Sequence, residues 1–389
     1  INRNSCPQVT ENGNFQIEAS INGYTSTFSY LQCLNKLTSF EGLENLNSIG
    51  GDLNISGNRQ SLSSLISFNG LSKLHSIGGN FKIQADNSLN ALTSFKGLEE
   101  LNTINGELYI HATYSALNKF VSFEGLENLN TIGKSFQVMA YSASLDALTS
   151  FQGLNKLQHI GRNLVISAHS SLNSLNSFNG LENITIINGN LDISASSSNT
   201  DALKNLTSFK GLENLHTING DFKVSASSSS SLSSSGNYYL TATSLNTLAS
   251  FKGLDKLNRI NGNFTINASS NKGNAHSLKN LISFEGLESL TNISGNFSII
   301  ASSNGSLTML TSFWGLNKLD CISGNLTITK CKKLNNINAL TNLSTVKDIT
   351  ITGCNNLYDF CVLKNIMQNY DNTFYTYQNG YDPTKYQLL

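Results

Sequence analysis

The segment 39-SFEGLENLNSIGGDLNIS-56 returns almost unchanged as 122-SFEGLENLNTIGKSFQVM-139, and looser copies recur along most of the chain. Anchored on S-F-x-G-L, they begin at Ser39, Ser67, Ser94, Ser122, Ser150, Ser177, Ser208, Ser250, Ser283 and Ser312. The steps are mostly about 28 residues, a length that marks stacked supersecondary units. That period overrides the two or three closed domains otherwise expected of 389 residues.

Within a copy the apolar residues fall as L/F-x-I/V, then L-x-x-L-x-S-F, then G-L-x-x-L-x-x-I-x-G. These are short straight segments broken by Gly, Asn and Ser, with no run at the helical period. The L/F-x-I/V triplet alternates as a half-buried strand does. It recurs twelve times, from Phe15-Gln16-Ile17 to Ile349-Thr350-Ile351. One coil cannot bury its apolar face alone, whereas stacked coils form a continuous core. The reading is an all-β solenoid: a right-handed, three-sided, parallel β-helix-like or leucine-rich-repeat-like stack of about 12 coils of ~28 residues, with disulfide-capped ends. Residues 1–38 form the N-terminal cap and first coil, 39–355 the repeats, and 356–389 a C-terminal cap with a tyrosine-rich tail.

Stacking turns each repeat position into a column. The Phe column, from Phe40 and Phe68 to Phe313, is expected to be an internal aromatic spine. The Gly two residues later, Gly42 through Gly315, fits a corner needing positive φ or close approach. The Ala column after the triplet (Ala85, Ala112, Ala140, Ala168) is read as a second tight corner. Both prolines, Pro7 and Pro383, stand outside the repeats, where no inter-coil ladder needs their N–H.

The run 46-LNSIGGDLNISGN-58 resembles the leucine-rich repeat, and more closely the repeats of receptor L-domains, over about residues 13–355. The resemblance implies a parallel sheet along one side, loops at its edges and an extracellular recognition or surface role, since such domains bind many unrelated partners. This chain departs from the leucine-rich pattern at Asn58, which becomes Asp86, Thr113, Tyr141 and His169 in later coils. An asparagine ladder is therefore not expected in that column, and a three-sided solenoid is preferred to a horseshoe.

Lys+Arg and Asp+Glu balance at 25 each, so nothing favours a nucleic-acid or anionic membrane partner. No apolar run is long enough to insert in a membrane. The chain starts at Ile1, as a processed secretory product would, and an extracellular location, secreted or at the cell surface, is expected. The six cysteines sit only near the ends, which points to capping disulfides. Cys331 and Cys354 follow LTIT and ITIT in consecutive coils and are expected to pair; Cys6 with Cys33, and Cys321 with Cys361, would complete the set. Ten N-x-S/T sequons occur in a chain so rich in these residues that chance alone supplies about that many. Asn54 and Asn183 lie in the first half. The glycosylation candidates are Asn205, Asn263, Asn267, Asn292, Asn296, Asn304, Asn325 and Asn342, and the column of Asn263, Asn296 and Asn325 would display a glycan.

Catalysis finds no footing. Asp52, Glu107 and Asp221 share a column but are coils apart, too far for a carboxylate pair. His75, His159 and His216 are expected to be solvated, and no H-E-x-x-H or G-x-S-x-G occurs. Gly133-Lys134-Ser135 lacks the first glycine of a phosphate loop. No cofactor or metal is implied, and the expected role is non-enzymatic: a structural or adhesive scaffold, with self-association into filaments or surface layers. The alternatives are a recognition domain for another surface protein or glycan, and a β-helix polysaccharide-processing enzyme.

Alternation along the triplet places its outward residues. Most are bland, but Tyr109, His111, Met139 and Val165, with Tyr114, Tyr141 and His169 at the adjoining corner, form an aromatic patch suited to contact. Trp314 replaces the polar x of S-F-x-G-L and should point outward, either to a partner or under the tail 370-YDNTFYTYQNGYDPTKYQLL-389. The insertion 225-SASSSSSLSSSGNYYLTATSLNT-247 reads as flexible or O-glycosylated filler, or as a recognition loop centred on Tyr238 and Tyr239. Thr327/Thr329 and Thr350/Thr352 resemble the T-x-T pairs of ice-binding solenoids but occupy too few coils.

Overall fold

The computed structural model describes residues 8–9, 13–19, 35–231, 242–271, 275–302, 305–368 and 373–389. The chain falls into two compact units, Ile1–Ile184 and Thr185–Leu389. Each is a stack of parallel β-coils, so the solenoid reading holds.

In the first unit the long strands are Phe15–Ala19, Leu53–Asn58, Phe81–Asp86, Leu108–Thr113, Phe136–Tyr141 and Leu164–His169. They pair in parallel, with Leu53 opposite Phe81, Phe81 opposite Leu108, and Phe136 opposite both Leu108 and Leu164. A second row of two-residue strands carries the isoleucine of L-x-x-I, from Ser48–Ile49 to His159–Ile160. The second unit repeats both rows, its long strands being Leu191–Ser198, Phe222–Ser229, Phe264–Asn271, Phe297–Ala301, Leu326–Thr329, Ile349–Thr352 and Phe374–Tyr377. It adds a third row of Asp201–Ala202, Ala242–Ser244 and Ala275–Ser277.

The Phe column is the interior spine. Phe68, Phe95, Phe123, Phe151, Phe178, Phe209 and Phe251 are fully buried. Rings of consecutive coils stack, Phe151 on Phe178 at 5.7 Å and 7°, while strand phenylalanines meet them edge-on, Phe123 to Phe136 at 5.6 Å and 87°. Both arrangements are favourable for the ring quadrupole.

The glycine two residues on has both of its anticipated reasons. Gly153 has φ +108°, and a Cβ there would lie 2.2 Å from the backbone carbon of Phe123 in the preceding coil. Its N–H is held by Asn155 Oδ1 at 3.3 Å, the place where other coils put an acid: Glu127 at 2.9 Å on Gly125, Glu182 at 2.9 Å on Gly180, Glu213 at 3.0 Å on Gly211. The recurring G-L-E is thus a corner clamp.

The alanine column is not a corner. Ala85, Ala112, Ala140 and Ala168 are the third inward residues of strands twice as long as the triplet, and all are buried. Ala is small enough to let the sheet approach the next side of the coil. The turn comes later, at the first leucine of L-x-x-L-x-S-F, which the pattern marks as core and not as a turn: Leu62, Leu89, Leu117, Leu145 and Leu172, then Leu203, Leu245, Leu278 and Leu307, all with φ between 47° and 56°. A left-handed L-residue costs about 1–2 kcal/mol. Each of these leucines is buried, which contributes roughly 1.5–3 kcal/mol. Burial wins, and a β-branched residue would meet greater steric penalty in this region.

A polar ladder does exist, in the column just before the long strand rather than at Asn58. Asn80 N donates to Asp52 Oδ1 at 2.6 Å, Glu107 N to Asn80 Oδ1 at 2.9 Å, and Asn163 N to Ser135 Oγ at 3.4 Å. In the second unit Asp221 N donates to Asn190 Oδ1, Asn263 N to Asp221 Oδ1, Asn296 N to Asn263 Oδ1 and Asn325 N to Asn296 Oδ1, at 2.7–2.8 Å. Asn263 and Asn296, expected to display glycans, also donate their amide N–H groups within this ladder, at 2.9 and 3.0 Å.

Four expectations near the ends and the insertion change. The described cysteines Cys321, Cys331, Cys354 and Cys361 are free thiols. Cys331 and Cys354 are buried beside one another, and each donates to a carbonyl of its own coil, Thr329 O and Thr352 O, at 3.7 Å. The hydrogen bond to Cys354 and burial hold the Cys331 thiol well above its ordinary range. Cys321 lies 3.6 Å from Ser323 Oγ, whereas Cys361 is exposed beside Asp359, which raises its pKa. Cys6 and Cys33 lie outside the described residues. Trp314 is not covered by the tail: it is 60% exposed. The tail instead extends the sheet, Phe374–Tyr377 pairing in parallel with Ile349–Thr352. Finally, the serine run begins as strand, Phe222–Ser229, with Ser228 buried; Tyr238 and Tyr239 lie outside the described residues.

Candidate functional site

The outward face of the first unit's sheet is set by the same alternation that buries Leu108, Ile110 and Ala112. Parallel register arranges it in columns: Lys82, Tyr109, Gln137 and Val165; Gln84, His111, Met139 and Ser167; Asp86, Thr113, Tyr141 and His169. The residues singled out as a patch are thus brought together on three adjacent coils.

Four rings form an oblique track over these columns. Tyr109 and His111 have centroids 6.0 Å apart at 6°, His111 and Tyr141 5.4 Å at 61°, and Tyr141 and His169 6.1 Å at 29°. Met139 is registered with His111 on one side and Ser167 on the other. The strand side chains are half-buried, each shielding its neighbours' flanks, while Tyr114 at the corner is 65% exposed and held at φ 52°.

Shielding acts on the protonation of Tyr109 and His111. Burial raises the Tyr109 phenol, and the nearby Tyr141 and Glu107 push it the same way. Burial lowers His111, against the opposing pull of Asp86. At neutral pH this face therefore presents an uncharged phenol and an uncharged imidazole. The Asp86 carboxylate is steadied by the Thr113 hydroxyl, which donates at 3.3 Å. Among the described residues, the side-chain amides of Gln84 and Gln137 and the hydroxyl of Ser167 make no hydrogen bond within the protein.

The remaining candidates are elsewhere. Trp314 projects from the glycine corner of the second unit, its backbone N–H donating to Ser312 Oγ at 3.5 Å. His75, His159 and His216 are exposed, as anticipated. Of the sequons, Asn205 and Asn267 are exposed, and Asn342 donates to Asn317 O at 2.6 Å. Asn292 accepts from Ser294 at 2.9 Å, Asn325 takes part in the ladder, and Asn304 lies outside the described residues. Asp52 and Asp221 spend their carboxylates on backbone N–H groups of the next coil.

Sequence reasoning missed the ladder and the acidic clamps. Their signals were present, as G-N or G-D before most strands and G-L-E after the Phe column, but composition made asparagine and glutamate look like solvated filler. No protein-family model matches the chain, and no curated protein matches it either.

Proposed function

We propose that this protein is a non-enzymatic, extracellular solenoid of the receptor L-domain type that recognises a surface ligand through the outward face of its first unit. The observation that carries this reading is the ring track of Tyr109, His111, Tyr141 and His169, with Met139 and Val165, on three adjacent coils. Half-exposed aromatic and apolar groups concentrated on one part of a regular surface fit the footprint of a contact site. Rigid in-register strands hold the groups in place without the entropy cost of ordering loops on binding.

The reading is tested with purified full chain against a panel of immobilised matrix proteins and polysaccharides. At least one panel member should be retained, and Met139→Arg should weaken that retention tenfold or more. Retention of nothing, or retention indifferent to Met139→Arg, overturns it.

A scaffold that assembles head to tail is the second reading, favoured by the tyrosine-bearing terminal strand Phe374–Tyr377, where Tyr375 and Tyr377 are half exposed. Against it, Gln8–Val9 runs antiparallel to Phe15–Ala19, so the parallel ladder ends there and cannot pass unchanged into another copy. Regular fibres in negative stain would favour the scaffold, and dispersed particles at high concentration the recognition module.

A further inference from the structure

We infer that the ring track is a binding platform for an uncharged, β-linked polysaccharide, with the sugar rings lying along Tyr109, His111, Tyr141 and His169. The inference rests on the recognition reading above and narrows it to one class of ligand.

A pyranose offers an apolar C–H face rimmed by hydroxyls. A complementary surface therefore alternates aromatic faces with small polar groups at close spacing. The three columns do this: Gln84 and Gln137 are the register neighbours of His111 and Tyr109, and Ser167 follows Met139. Their polar groups have no partner in the protein among the described residues, so they are available to hydroxyls. Successive ring centroids 5.4–6.1 Å apart make a line rather than a cluster. A line over three strands spaced about 4.8 Å apart suits an extended chain better than a single small molecule.

The same composition argues against other occupants. The core of a protein–protein interface is a broad apolar, desolvated patch, whereas here the apolar groups form a narrow track flanked by the amides of Gln84 and Gln137 and the hydroxyl of Ser167. An acidic polysaccharide needs a cationic lining. These columns hold Lys82 at one edge, offset by Asp86 four residues along the same strand, and the imidazole of His111 is biased to its neutral form by burial. The face is thus nearly uncharged, and charge complementarity favours a neutral polymer.

The test is affinity electrophoresis of the full chain in gels containing mixed-linkage β-glucan, hydroxyethylcellulose, galactomannan or polygalacturonate. The wild type should be retarded by at least one of the neutral β-linked polymers and not preferentially by polygalacturonate. Tyr141→Ala should weaken the retardation at least fivefold, Tyr141→Phe should retain most of it, and Thr265→Ala, on the outward face of the second unit, should leave it unchanged. As a check on the unmutated protein, adding soluble β-gluco-oligosaccharide should shift the ring resonances of His111 and His169 but not those of His75 and His159. Retardation by polygalacturonate alone overturns the inference. So does the absence of any retardation in a protein whose face still binds a panel protein in a Met139-dependent way, and that outcome leaves the recognition reading standing. Retardation that neither Tyr141→Ala nor Met139→Arg changes overturns both.

Discussion

In the first unit the long strand stops after six residues in these coils and the chain turns through three left-handed positions, Tyr114, Ser115 and Leu117 in one coil and Ser142, Ala143 and Leu145 in the next. In the second unit Leu191–Ser198, Phe222–Ser229 and Phe264–Asn271 run eight residues, and the third row of short strands replaces part of that corner. The extension of two residues keeps the alternation, adding one inward and one outward position to each strand. The added inward residues are Ser197, Ser228 and Ser270, all buried, and each hydroxyl finds another serine: Ser244 to Ser197 at 3.0 Å, Ser277 to Ser228 at 2.9 Å, Ser270 and Ser306 at 2.9 Å. A solenoid thus accommodates insertions by lengthening a side in steps of two and lining the new interior with the smallest hydroxyl that can pair with itself. The outward faces differ as well, with aromatic groups on the first unit's strands and Ser, Thr, Asn and Lys over much of the second's.

The largest expected effect asks whether the shared spine is equally important in both units. Phe123→Ala and Phe251→Ala should each destabilise by about 3–5 kcal/mol in denaturant unfolding. Hydrogen exchange should place the lost protection in the unit that carries the change. Equal loss throughout both would contradict their description as separate compact units.

Next comes the serine interior. Ser277→Ala removes a hydroxyl that donates to Ser269 O and contacts Ser228, at 2.6 and 2.9 Å. It should cost about 1–3 kcal/mol because buried partners are left unsatisfied. Ser171→Ala in the first unit removes a single bond, to Ala140 O at 2.7 Å, and should cost about 0.5–1.5 kcal/mol. The reverse order would show that the second unit's hydroxyl network adds nothing beyond its separate bonds.

At the corner itself, Ser115 is exposed with φ 61°. Ser115→Gly should therefore be neutral or stabilise by up to about 1 kcal/mol, as relief of left-handed strain outweighs the added freedom of the unfolded chain. A clear loss of stability would mean that the side chain, not the backbone, is what the corner requires.

The smallest effect concerns protons. Burial depresses His111 in the first unit and His276 in the second below their ordinary value of 6.5. A histidine with a depressed folded pKa binds its proton later than the unfolded chain does. Its contribution is thus present above pH 6.5 and is lost as pH falls from there toward the folded pKa. NMR titration should give both rings midpoints below 6.5. A higher midpoint for either would reverse the sign for that unit.

The aromatic patch was partly legible in the sequence. Period-2 alternation alone puts Tyr109, His111, Met139 and Val165 on one face. The diagonal meeting of His111 with Tyr141 depends on the coil-to-coil register, which is a property of the stack. Trp314 keeps the outward direction of its column, and only the alternative of cover by the tail is overturned; the tail was less legible, because it breaks the repeat and so has no column to inherit. Among the described residues, equivalent positions in adjacent coils bring Cys331 and Cys354 close, as the spacing implied, and both are free thiols there.

What the amino-acid order determined by itself is the coil and the side on which each residue falls, since inside and outside follow from local periodicity repeated along the chain. Only the tertiary structure decided which polar column became the ladder, why nine buried leucines tolerate left-handed backbone, and where serine replaces aliphatic packing. Those outcomes depend on partners about one coil away, in the next layer of the stack. The energy that selects them, from burial and inter-coil hydrogen bonds, exists only once the layers meet.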